Sequence, residues 1–552
     1  MLSSSHTPPL LALAVLLASA STVYGQDPDT TQLPEIAPRE IEIRGERQID
    51  LPSLERQPLT GFSSPARVPA VPADRTPYVG SYRQTLDDLP ESLPIPETVS
   101  EPMEPVADPA QGFLEGGTGR YFSRFFEGRV GVPLSDNDRL SLHGQYTGIE
   151  NNPDDDVAEA RLRYERTPAG LRIAADAYGS AQRYALFGLS PSSSKREAFT
   201  AGGAFRLRTT GDRPTQVEMR YDNMEYTSQR GSALVFSQQQ FSLNGSGTLP
   251  LPLRPHFDGT LRRSWFGGDA PDDTAFSLDV GGQLTAYETE STTIRAGARV
   301  LAYETPARRT ATPGGTADAT FVVPSVRVEW AIADRTRLHV HNRPRLGDTS
   351  LDRLYATNPY AQHAPSLQPT LETTNAEAGL TVSLGPVRLV AAAGYRYAPA
   401  YRYFSYDARS GLYDVRYNSA RILQGRGQIA LQGVEGVQAS LGLSVRDGTL
   451  TSPDTEIPSF APITADAMLA VSFADGDGFL EAQTQFQSPR DASVANDRLD
   501  SYLTLDLEGT YALGDQAAIV ARAEHLSSGT LTLWKNHPRP PAQVSVGLRL
   551  NW

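Results

Sequence analysis

From residue 112 onward, apolar and polar side chains alternate strictly in segments of roughly 8 to 14 residues. The last segment sets Ala542, Val544, Val546, Leu548, Leu550 and Trp552 against Gln543, Ser545, Gly547, Arg549 and Asn551. Val437, Ala439, Leu441, Leu443 and Val445 oppose Gln438, Ser440, Gly442, Ser444 and Arg446, and Leu503, Leu505 and Leu507 oppose Thr504, Asp506 and Glu508. Ala376, Ala378, Leu380, Val382 and Leu384 likewise oppose Asn375, Glu377, Thr381 and Ser383. A period of two belongs to the pleated strand, which sends successive side chains to opposite faces. A soluble sandwich or propeller shares that period but needs a second, fully apolar layer, and no segment supplies one. The polar face also carries many full charges, which suits a hydrated lumen. The pattern predicts an all-β, transmembrane outer-membrane antiparallel β-barrel, its apolar face toward lipid.

Tight turns rich in Gly, Pro, Asp and Asn punctuate the segments at 135–138, 168–170, 211–214, 250–254, 288–291, 334–336, 385–386, 433–436, 475–478 and 514–515. Longer polar stretches fall between them, among them 151–156, 308–318, 347–373, 404–418 and 447–459. Short inner turns alternating with long outer loops, and both termini on the inner side, give about 22 strands, with 20 to 24 as the range. A barrel of that size encloses a lumen too wide for its own side chains to fill, so it is either a water-filled pore or plugged by other chain.

The N-terminal part has a different character. Residues 9–20, PLLALAVLLASA, are an apolar stretch followed by small residues. This is the length of a secretory leader and too short to span a bilayer, and cleavage after Gly25 would leave Gln26 first, although no Lys or Arg precedes the stretch. Residues 26–110 hold 15 of the 42 prolines and few aromatics, with one strand-like tetrapeptide at Ile41, Glu42, Ile43 and Arg44. They read as a largely irregular periplasmic extension. The expected organisation is therefore a signal peptide at 1–25, the extension at 26–110 and the barrel at 111–552.

Composition narrows the chemistry. The chain has 552 residues, no Cys and a net charge of −14. Disulfides, thiolate metal sites and a thiol nucleophile are excluded, and no basic block stands out to hold a nucleic acid. No Ser–His–Asp spacing or phosphate-cradling Gly loop is present, so an enzyme is not expected, nor is a cofactor.

Two constellations remain. Arg337, His339, His341, Arg343 and Arg345 share one face after the turn at 334–336. In a barrel they would line the lumen, either guiding an anionic solute through bidentate guanidinium contacts or bracing the wall against acids such as Glu329 and Glu377. Two histidines without a carboxylate on their strand do not predict a metal site. The second constellation, residues 397–417, carries Tyr401, Arg402, Tyr403, Tyr406, Tyr413, Arg416 and Tyr417. It reads equally as an outer-loop capture surface or as part of the aromatic girdle at the lipid boundary. Trp265 and Trp330 read as interfacial anchors.

Three stretches resemble the barrel of TonB-dependent outer-membrane receptors. Residues 112–148 are similar to that family's opening: a strand, a Gly-rich reversal, a second strand ending in a Pro-Leu turn, then a third. Pro365, Leu367 and Pro369, followed by Glu377, Gly379 and Leu380, are similar to its N-P-x-L-x-P-E and E-x-G-L stretches, with Ala364 and Thr370 as departures. The third is the Pro-containing run 534–540 before a final strand closing on Trp552. The resemblance implies that Trp552 serves as the C-terminal signal for the barrel-assembly machinery. It also implies a plug domain ahead of the barrel, yet the Pro-rich extension lacks the strands and helices a standard plug requires. The expected function is uptake or permeation of an unidentified solute across the outer membrane of a Gram-negative-type bacterium, with TonB or another periplasmic partner reached through the extension. The alternative is a structural or assembly anchor whose N-terminal arm docks a periplasmic partner.

Overall fold

The computed structural model describes residues 112–552, apart from short segments at 150–154, 187–188, 190–193, 212–213, 231, 270–272, 306–317, 363–366, 453, 494–497, 527–531 and 539–541. The leader, the Pro-rich extension with its strand-like tetrapeptide, and the question of a plug lie outside the described residues.

Consecutive strands pair antiparallel from Gly112–Gly119 with Arg124–Ser135 through to Ala517–Glu524 with Gln543–Asn551. The last strand then returns to the first, Phe113 opposite Asn551 and Gly119 opposite Ser545. Gly112 and Trp552 exchange both backbone hydrogen bonds at 3.1 Å. The result is a closed 22-strand antiparallel barrel, in which closure leaves no strand edge unpaired in the wall. Every predicted tight reversal lies between two consecutive barrel strands.

The two faces are inverted relative to a soluble protein. Val544, Val546, Leu548 and Leu550 are 49–56% exposed on the outside of the last strand. Inside, Glu115 is 3% exposed and takes a 2.6 Å bond from Arg522 across the closing seam. Exposed hydrocarbon outside and paired charge inside are stable only with lipid around the cylinder, and this is an outer-membrane barrel. Trp265 and Trp330 are both exposed, one near the outer end of His256–Gly268, the other near the inner end of Asp318–Ala333. Those are the two depths at which interfacial aromatics anchor.

Two predicted loops are instead largely strand, 447–459, where Thr449 pairs with Glu456 and Thr451 with Asp454, and 404–418. Residues 404–418 continue the ladder, Phe404 opposite Val415 and Asp407 opposite Leu412. The strands Val387–Asp407 and Leu412–Val434 thus run 21 and 23 residues, well beyond the roughly 9–11 that cross a bilayer. Aromatic residues favour strand here. The reversal shrinks to 408–411, where the Asp407 carboxylate accepts from the Arg409 and Ser410 amides at 3.0 and 3.2 Å.

Candidate functional site

The wall has a low point. Thr336–Asn342 is only 7 residues long, beside neighbours of 16 and 11 residues. A strand this short ends before the bilayer does, so the chain leaves the wall partway up and turns into the lumen. Ion pairs at the root of the turn hold it there. Arg343 reaches Asp258 at 2.9 Å, Arg299 bonds both Asp258 (2.5 Å) and Asp279, and the Asp279 carboxylate accepts from the Leu346 amide at 2.9 Å. Arg345 pairs with Glu372 at 2.8 Å, while Arg345–Leu346 and Leu371–Glu372 form a two-residue ladder that closes the base of the excursion.

Between these roots the segment crosses the mouth. A short helix, Leu351–Thr357, starts at Ser350, whose hydroxyl caps the Arg353 amide at 3.2 Å. Gln238 on the wall accepts from the Leu351 amide at 2.7 Å and donates to the Thr349 carbonyl at 3.4 Å. Beyond the helix, Arg196 donates to the carbonyls of Pro359 (2.6 Å) and Ala361 (3.0 Å), with its guanidinium 4.1 Å from the Tyr355 ring centroid. On the other side, the Tyr413 amide donates to Tyr360 at 3.0 Å and the Gln362 amide to Tyr413 at 2.7 Å. Arg196 opens the sixth strand of the barrel and Tyr413 lies at the start of the sixteenth. They lie ten places apart in a ring of 22 yet grip the same four residues, 359–362, so the segment ties the two strands together.

Hydrocarbon completes the crossing. Met224, Tyr226 and Phe236 from one part of the wall meet Leu351, Leu354, Tyr355, Ala361 and Leu367 of the segment, then Phe404 and Tyr413 from another. The last outer loop seals the edge. His537 stacks on Tyr360 at 3.6 Å and donates to the Gly411 carbonyl at 2.9 Å, and Trp534 packs edge-on to Tyr413 at 5.0 Å.

Two carboxyls in the segment are shifted in opposite directions. Burial opposes ionisation of Asp348, but the guanidiniums of Arg262 and Arg402 and the Ser350 amide outweigh it and hold that carboxyl below the usual range. At Asp352 burial prevails over the bond from the Tyr226 hydroxyl and the charge of Arg220, and the carboxyl is raised.

The lumen ladder is assembled as its alternation predicts, up to Asn342. His339 and His341 face a cleft also lined by His256, Asp258, Arg299 and Arg327, with Arg337 below them on the same face. Arg343 and Arg345 do not continue up the wall; they enter the ion pairs of the crossing segment. The strand itself carries no carboxylate, but Thr374–Leu384 brings Glu377 opposite His341, and His339, His341 and Glu377 have ligand atoms within 4.8 Å of one another. The Tyr/Arg constellation sits largely inside the packing. Tyr403 and Tyr413 are buried, Tyr417 accepts from the Gln368 amide at 2.9 Å, and Tyr401 and Tyr406 pack against buried clusters. Arg402 donates to the Asp348 carbonyl at 3.1 Å, and Arg416 is exposed beside Asp414 at 3.0 Å.

Sequence reasoning missed Arg196, Gln238, Asp258, Asp279 and Arg299. Each falls on the polar face of its strand, so parity marks it as lumen-facing; its partner appears only when the cylinder closes.

No family model matches the sequence, and no curated protein does. Solved structures do share the fold. The copper transporter OprC aligns with a TM-score of 0.58 at 15% identity, over 80% of each chain. The ferric-catecholate import receptor Fiu from K12 E. coli aligns at 0.58 and 9%, over 81% of this chain and 82% of that one. The siderophore receptor PirA from Acinetobacter baumannii aligns at 0.59 and 11%, over 81% of each. These neighbours are TonB-dependent receptors, and the likeness is one of fold.

Proposed function

We propose that the protein is a receptor-type outer-membrane barrel that passes a solute through its lumen, with residues 343–373 as the closure of the outer mouth. One observation carries this reading: a charged lumen in a 22-strand cylinder is bridged at its outer end by the chain's own segment, held from two strands ten places apart. An anchor has no use for a closed passage, whereas a passage needs a closure to keep the membrane tight. Two of the structural neighbours are a copper transporter and a ferric-catecholate import receptor, which supports a solute-handling role. The reading is of a transporter rather than an enzyme. Solute would meet exposed Arg416 at the rim, and beneath the closure the face carrying Arg337, His339 and His341. The N-terminal extension supplies the periplasmic contact, with TonB as the partner the family resemblance implies.

Planar-bilayer recording of the full-length protein tests this. The wild type should be nearly silent, and a variant whose closure is loosened should give large step currents. Silence in both, with and without residues 26–110, would leave the barrel as an anchor for a periplasmic partner. Solute uptake unchanged in cells lacking TonB would remove the energised version alone.

A further inference from the structure

We propose that His339, His341 and Glu377 form a binding site for a divalent transition-metal ion on the lumen wall. Strand geometry brings them together. His339 and His341 are two residues apart and share the lumen face, and the antiparallel register sets Glu377 opposite His341 and Gly379 opposite His339. Directly opposed side chains have Cβ atoms about 4.5–5.5 Å apart, so two imidazoles and a carboxylate converge from adjacent strands.

Gly379 allows the convergence. A Cβ at that position would come within 2.3 Å of His339 Cε1 and 2.5 Å of its Nε2. Without that methyl the ring leans over the neighbouring strand until Nε2 stands 3.4 Å from Glu377 Oε1. The two imidazole planes are 21° apart with centroids at 6.0 Å. Donors bound about 2.1 Å from one tetrahedral ion sit roughly 3.4 Å from each other, which the His339–Glu377 pair already matches. The remaining separations are no more than 4.8 Å, within reach of small side-chain rotations.

The donor set selects the ion. Two imidazole nitrogens and one carboxylate oxygen suit Cu(II), Zn(II) or Ni(II), with Cu(II) the tightest; there is no thiolate to favour Cu(I), and too few oxygens for Ca(II) or Mg(II). Three protein donors leave an open position for water or for a group on a passing solute. Arg426 also donates to Glu377 Oε1, at 2.7 Å, and the remaining lone pair of that oxygen is left for an ion. Its positive charge lowers affinity for a cation, and a micromolar site is expected rather than a structural one. The assignment goes beyond the proposed transport role, and stands on cross-strand geometry whether or not a solute passes.

Untagged full-length protein in detergent, titrated with Cu(II) and Zn(II) by calorimetry, should bind one ion per chain. The Cu(II) spin-resonance spectrum should show two nitrogen ligands. His339→Ala and His341→Ala should each weaken binding about 100-fold, and Glu377→Gln and Gly379→Ala about tenfold, while His143→Ala on a distant strand changes nothing. Heat-dependent migration on SDS gels reports whether each barrel is folded. Because a lumen variant can fail to assemble, the wild type supplies a second readout: Cu(II) should protect His339 and His341 from diethyl pyrocarbonate, mapped by mass spectrometry. Absence of that protection at saturating metal, or unchanged stoichiometry and spectrum in folded His339→Ala and His341→Ala, would overturn the proposal.

Discussion

Arg196 is the sharpest place to test the crossing. It is 2% exposed and among the largest fully buried side chains. Arg196→Met keeps the aliphatic stem and removes the guanidinium. Two charge-assisted bonds, to Pro359 and Ala361, are lost at about 1.5–3 kcal/mol each, leaving both carbonyls without a donor from this side chain. The stacked contact with Tyr355 adds up to about 2 kcal/mol. Against this, methionine avoids the several kcal/mol cost of burying a cation. The balance is about 3 kcal/mol against the closed segment, or roughly a hundredfold in its opening equilibrium. The chain has no Cys, so Leu354→Cys places a unique thiol at a position 0% exposed in the core of the crossing. In protein reconstituted into vesicles, maleimide should label that thiol about 100-fold faster when Arg196→Met is added. Equal rates in the two backgrounds, with both barrels folded, would refute the claim that Arg196 holds the segment in place.

Other consequences follow from the same contacts. Arg299→Met leaves buried Asp279 and half-buried Asp258 with a partner removed and should cost about 3–5 kcal/mol, read as a lower denaturant midpoint. The crossing should be tightest in mild acid. Asp352, with its raised carboxyl, costs stability at neutral pH that is regained as pH falls through its folded value toward the ordinary carboxylate range, whereas Asp348, with its depressed one, contributes stability above the unfolded carboxyl range that is lost as pH falls through its own low value. Divided by the rate of a freely exposed thiol at the same pH, the Leu354→Cys labelling rate should therefore pass through a minimum as pH is lowered, and Asp352→Asn should remove the fall on its neutral side. Trp552→Ala should reduce the folded, heat-modifiable form in the outer membrane, while Trp552→Phe restores it, measured by gel shift of membrane fractions.

The wall was legible because it depends on local rules. Val544, Val546, Leu548 and Leu550 announce a lipid face from their spacing alone, and turns such as 385–386 and 475–478 carry the residues that reverse a strand. The crossing was not, because its contacts are remote in sequence. Gln238 meets Leu351 across 113 residues, and Arg196 meets Ala361 across 165. Residues 347–373 have the composition of any outer loop, and nothing in them states that the wall beside Asn342 is low enough to admit them. The tyrosines of 397–417 were legible as an amphipathic cluster but not in their placement. Both readings assumed water or lipid on one side, whereas Phe404, Tyr406 and Tyr413 pack against the crossing and Tyr401 and Tyr403 against Ile422, Leu450 and Ile457. Glu377 lies amid Ala376 and Ala378 with no histidine near it in sequence; only the pairing of Thr336–Asn342 with Thr374–Leu384 brings it to His339 and His341.

The low wall and the crossing are one physical feature. A strand of 7 residues cannot carry its loop to the rim, so that loop's backbone groups enter the lumen and need partners there. The wall answers with side chains that match backbone: Gln238 offers a donor and an acceptor, Asp279 an acceptor, Arg196 a pair of donors. These are directional contacts to main-chain atoms. They fix the height and orientation of the segment, while Leu351, Leu354 and Tyr355 supply the burial. Water can replace each polar contact once the segment lifts, and the exposed hydrocarbon belongs to a single short helix and its neighbours. A closure built this way opens at a bounded cost: beyond backbone contacts such as those at Tyr413 and Ala400, the wall holds it through side chains, and the strand-to-strand pairing that closes the cylinder does not pass through it.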